Sequence, residues 1–145
     1  MRICYPLGGT MMKTFARWLS LPIAIGLVSL MMGSAIAETI PLSPGFAEPK
    51  TTTGTSGGAI DTGNCGYISD TPNHQLVLAD NFDYLRVAAE DADGLTLLVR
   101  GPGGEFCALL APQQSGYWEK GTYDIFVGNG ADVYTPYMLS ISTTP

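Results

Sequence analysis

From residue 74 onward the chain alternates between apolar and polar positions with a period of two. Leu76 and Leu78 share one face of a short run from Gln75 to Ala79. Between Phe82 and Glu90, Leu85, Val87 and Ala89 alternate with Tyr84, Arg86 and Ala88. Leu95, Leu97 and Val99 mark a run ending at Arg100. The segment Gly101-Pro102-Gly103-Gly104 reads as a tight turn, because glycine supplies positive φ and proline fixes its own. Glu105 to Leu110 then reads as the partner strand of a hairpin. Tyr123, Ile125 and Val127 mark a strand from Thr122, Gly128-Asn129-Gly130 reads as a turn, and Tyr137, Leu139 and Ile141 mark the last strand. No window of helical length carries a 3.6-residue period.

Short alternating strands separated by glycine-rich turns predict an all-β fold, an antiparallel β-sandwich of jelly-roll-like form over residues 64–145. One-sided apolar stripes are what a sheet with one face on a core requires. Residues 38–63 differ. They contain Pro41, Pro44, Pro49 and a polar run from Thr51 to Gly58, which reads as a linker or an edge segment. Within it, Ile40-Pro41-Leu42 with Phe46 can form a short edge strand.

The N-terminus reads as a targeting segment. Arg2, Lys13 and Arg17 precede an apolar run from Trp18 to Met32, and Ala35-Ile36-Ala37 places small residues ahead of Glu38. Positive, apolar and small-residue zones in that order are the plan of a secretory signal peptide, here residues 1–37. The signal is complete from Met11 or Met12 as well as from Met1. Its apolar run is short and interrupted for a bilayer span. The expectation is a secreted or periplasmic protein with no stable membrane insertion after cleavage; a thylakoid lumen fits if the source is a cyanobacterium.

From Glu38 onward there are thirteen carboxylates against four cationic side chains, a net charge of −9. Lys50, Arg86, Arg100 and Lys120 are scattered. A nucleic-acid partner needs clustered Lys and Arg and is not expected. Cys65 and Cys107 are the two cysteines beyond the signal, and in an oxidising compartment they read as a disulfide. Two cysteines and a single histidine are too few for structural zinc.

Candidate chemistry is sparse. His74 is the one histidine, and no nucleophile motif accompanies it. Glu90, Asp91 and Asp93 put three carboxylates into one turn, the beginning of a calcium site, although the EF-hand spacing is not met. No other cofactor is indicated. Tyr117 and Trp118 are adjacent aromatics able to stack on a sugar ring or a protein surface. Neighbours on a strand face opposite ways, so one of the two belongs to the core. The larger apolar surface of Trp118 favours that place.

The strands Leu95-Thr96-Leu97-Leu98-Val99, Gly121-Thr122-Tyr123-Asp124-Ile125-Phe126-Val127 and Tyr137-Met138-Leu139-Ser140-Ile141 resemble those of bacterial pre-peptidase C-terminal domains, small sandwiches attached to exported proteins. The segment Gly116 to Tyr123 is also similar to small exported cyanobacterial proteins of unknown function. Gly94 and Thr96 stand where the pre-peptidase pattern usually carries aspartates, so any ligand role of those acids does not carry over. Export, a disulfide-stapled sandwich and the lack of catalytic groups together predict a non-enzymatic binding or accessory module of the cell envelope or extracellular space, with a protein or carbohydrate partner. The alternatives are a calcium-stabilised structural domain and a small extracytoplasmic hydrolase or inhibitor.

Overall fold

The computed structural model describes residues 36–145. The expected signal peptide, residues 1–37, therefore lies up to residue 35 outside the described residues. The rest is a two-sheet β-sandwich with no helix among the described residues. In chain order its strands are β1 (Glu38–Leu42), β2 (Lys50–Ser56), β3 (Ile60–Asp61), β4 (Tyr67–Ile68), β5 (His74–Leu78), β6 (Phe82–Glu90), β7 (Leu95–Gly101), β8 (Gly104–Ala108), β9 (Gln113–Trp118), β10 (Gly121–Asn129) and β11 (Thr135–Ser142).

The larger sheet runs β1-β5-β10-β7-β8, with β4 and β3 continuing beside the far end of β10. The smaller runs β2-β11-β6-β9. All pairings are antiparallel except one. Strand β1 lies parallel to β5, with Ile40 opposite Leu76 and Leu42 opposite Leu78. It is the one parallel pair in an otherwise antiparallel sandwich among the described residues. After β1 the chain crosses to the other sheet as β2 and returns before β5, so the β1–β5 link is a long crossover rather than a hairpin.

The alternating stripes form the core. Leu76, Leu97, Ile125 and Val127 face Leu85, Val87, Leu139 and Ile141 across the sandwich, all fully buried. Each such side chain contributes about 1.5–3 kcal/mol through its removal from water. Residues 38–63 are part of this body, and the sandwich begins at Glu38 rather than at residue 64. Their prolines do not prevent strand formation, because β1 and β2 are sheet edges. Pro41 sits on an edge strand, where one side of the backbone has no ladder to complete.

A second, smaller cluster covers the outer face of the larger sheet. Leu98 and Phe126 point away from the main core and pack under Cys65, Ile68 and Cys107. The Cys65 and Cys107 sulfurs are bonded, with Cα atoms 5.8 Å apart. The bond fixes the loop between β3 and β4 to β8, and so roofs an apolar patch that alternation alone leaves exposed. Arg100 adds its guanidinium 4.9 Å over the Phe126 ring. The expected turn at Gly128 is a continuation of β10. Gly128 is buried, and a Cβ there would strike Thr96 and the Tyr67 carbonyl. Its glycine answers to close approach rather than to chain reversal.

A cleft at the open edge of the sandwich

The two lateral edges of the sandwich are built differently. At the β1–β2 edge, polar side chains join the sheets. Thr52 donates to Glu38 Oε2 at 2.6 Å. Glu38 Oε2 lies 3.3 Å from His74 Nδ1, and His74 Nε2 is 2.7 Å from the Tyr137 hydroxyl. Nδ1 makes no hydrogen bond among the described residues, but the Glu38 carboxylate beside it favours the tautomer with the proton on Nδ1, in which Nε2 accepts from Tyr137. His74 and Tyr137 are both buried. Burial holds the imidazole below its ordinary value, against the opposing pull of Glu38. Burial, with Glu38 adding, pushes the Tyr137 phenol well above its ordinary value. His74 is thus a buried strut between the sheets, held between Glu38 and Tyr137.

At the opposite edge, β8 and β9 do not close on each other. Strand β8 pairs only with β7, and β9 only with β6. Phe106 lies opposite Val99 in the row that faces the interior. An interior-facing phenylalanine in a sandwich is normally covered, yet Phe106 is 46% exposed. Across from it β9 presents Gln114 and Gly116 in the corresponding row, opposite Val87 and Leu85. An amide and a glycine do not fill the space that a second apolar pair would occupy. The result is a cleft of about 340 Å³.

Trp118 and Tyr123 line the cleft among its most buried residues, their ring centroids 4.8 Å apart. The Trp118 N–H is buried with no acceptor among the described residues. Tyr123 donates to the Glu119 carbonyl, and burial pushes its phenol above the ordinary value. Tyr117 and Phe106 contribute exposed aromatic surface. One end is the Gly101–Gly104 turn, where a Cβ on Gly101 would strike the Tyr123 ring. Two carboxylates lie on the lining. Glu105 is held by Arg100 at 2.5 Å, and Glu119 has no ion-pair partner among the described residues.

The adjacent aromatics are therefore split as strand geometry demands, with Trp118 buried and Tyr117 58% exposed, but both reach one cleft. Phe106 is a site residue that sequence reasoning missed. Its position beside Cys107 reads as an ordinary strand interior, and only the β8–β9 gap exposes it. The carboxylates of the acidic turn have separate surroundings. Glu90 pairs with Arg86 at 3.2 Å, Asp91 and Asp93 are exposed, and no three His, Cys, Asp or Glu side chains converge on one point among the described residues.

No protein-family model matches the chain. Over 97 residues it is 36% identical to an uncharacterized protein of Synechococcus elongatus, covering 61% of this chain and 72% of that protein. Among solved structures it is similar to a periplasmic inhibitor of g-type lysozyme from Aeromonas hydrophila. That match has 14% identity and a TM-score of 0.43, over 74% of this chain and 98% of the other. Likeness at that level carries no functional argument.

Proposed function

This chain belongs to the family of the uncharacterized Synechococcus elongatus protein, and on that premise we propose that it is an exported, non-enzymatic binding module whose recognition site is the β8–β9 cleft. The observation that carries the proposal is Phe106, an interior-facing aromatic left open to solvent beside Tyr117. Aromatic surface held rigidly on strands and rimmed by polar groups is suited to recognition. The single histidine is enclosed between Glu38 and Tyr137, which supports a role without catalysis. Export is supported by the signal-type N-terminus and by the Cys65–Cys107 pair, since such bonds persist outside the reducing cytosol.

Two experiments test the proposal. The full-length chain expressed in a bacterium is expected outside the cytoplasm with Glu38 as its first residue; an intact N-terminus in the cytosol contradicts export. A photo-reactive phenylalanine analogue at position 117 in the native host is expected to crosslink to one recurring partner. The same analogue at position 53, on the exposed face of β2, is the control. Identical products at both positions contradict the cleft as the recognition site.

A further inference from the structure

The proposal of a binding cleft leaves its occupant open, and the strand edges that flank it narrow the choice. Each edge strand presents a row of backbone N–H and C=O groups without a ladder partner. Proteins usually protect such rows with lysine, proline or charged side chains. The β1 and β2 edges carry Glu38, Pro41 and Lys50. The β8 and β9 edges are Gly-Glu-Phe-Cys-Ala and Gln-Gln-Ser-Gly-Tyr-Trp, with no proline or lysine and one charge, Glu105, already held by Arg100. Two unprotected edges therefore flank one aromatic cleft.

Resting on the binding reading, we infer that the occupant is an extended peptide segment of another protein, which adds as a strand along β8 or β9. Strand addition draws affinity from main-chain hydrogen bonds and specificity from pockets that take alternate side chains. Phe106, Tyr117 and Trp118 form an apolar pocket for one such side chain. Glu119, free of any ion pair among the described residues, faces a cationic neighbour on the occupant. The charge of −9 from Glu38 onward argues in the same direction. It disfavours a second copy of this chain in the cleft and favours a basic segment.

The test is selection of a random 12-residue peptide library on the immobilised full-length chain, followed by fluorescence polarisation with labelled peptides. Expected are peptides that alternate apolar and Lys or Arg residues. Their affinity falls at least about tenfold with Tyr117→Ala or Phe106→Ala, the scale of an aromatic hot spot, and as far when alternate peptide nitrogens are methylated. Thr53→Ala is the unaffected control, and circular dichroism verifies that each variant is folded. Peptides whose binding ignores both aromatics, or tolerates backbone methylation, overturn the inference. Two further arms use chitohexaose and cellohexaose as probes and sedimentation of the chain alone. Sugar binding that depends on Tyr117, without peptide binding, overturns the peptide occupant and leaves the cleft a binding site. Dimerisation abolished by Phe106→Lys assigns the cleft to a second copy and also overturns the inference. Silence in every arm brings down the binding reading together with it.

Discussion

Tyr137 on β11 reaches across the sandwich to His74 on β5, hydroxyl to Nε2, at 2.7 Å. The two residues are 63 positions apart in sequence and belong to different sheets. Removing the hydroxyl with Tyr137→Phe leaves a buried ring nitrogen without a donor, at a cost of about 1–3 kcal/mol. Urea unfolding of the variant is expected to show that loss with an unchanged denaturant slope. A midpoint equal to that of the parent contradicts the strut.

The same residue pair makes stability depend on pH in a defined direction. The His74 pKa is lowered from 6.5 in the folded chain, so the unfolded chain takes up the proton first. Stability is therefore complete above the unfolded value and falls as pH drops below it. Glu48, whose pKa is lowered from 4.5 by hydrogen bonds from Thr143, adds a second loss only in more acid solution. Between about pH 7.5 and about pH 5.5 the unfolding midpoint should decline, and more weakly in His74→Gln, which has no proton to take up. Equal declines in the two proteins would assign the effect to other groups.

The covalent bond between β8 and the β3–β4 loop stabilises beyond its local packing. Closing a chain segment of 42 residues is worth about 4 kcal/mol in the chain-entropy model. Reduction should also unroof Leu98 and Phe126. The Cys65→Ser/Cys107→Ser double variant is expected to melt well below the parent, with amide protection lost first in β3, β4 and β8. Unchanged melting, or two titratable thiols in the protein from its native host, contradicts this.

Phe106 and Phe82 make a matched pair for telling a cleft from a core. Both face the interior, but Phe82 is 4% exposed and Phe106 46%. Phe82→Ala should cost about 3–5 kcal/mol through transfer and cavity terms. Phe106→Ala should cost less than about 1 kcal/mol, because water already reaches the ring. Comparable losses would mean that the cleft is closed in solution.

The apolar strands were legible because both of their ladders are internal and one face of each is dry. The stripes of β5, β6, β7, β10 and β11 coincide with the buried rows of the core. The peripheral strands were harder to read. Strand β2 is Lys-Thr-Thr-Thr-Gly-Thr-Ser, and its glycine looks like a linker residue. Gly54 is there because Tyr137 lies against it, and a Cβ would collide with the phenol hydroxyl. Strand β9 opens with two glutamines and a serine, so no alternation announces it. Tyr117 and Trp118 could be singled out by their chemistry. Phe106 could not, since its exposure is a property of the gap between two sheets rather than of its own segment. Closeness in sequence groups Glu90, Asp91 and Asp93, and strand geometry pairs the first of them with Arg86.

Amide hydrogen exchange of the protein, with and without a peptide selected on it, locates the site of recognition. Occupation of the cleft predicts slower exchange in β8 and β9, residues 104–108 and 113–118, and no change in β2. Slowing confined to β2, to the β10–β11 loop or to the outer face of the smaller sheet would place recognition elsewhere and contradict the account.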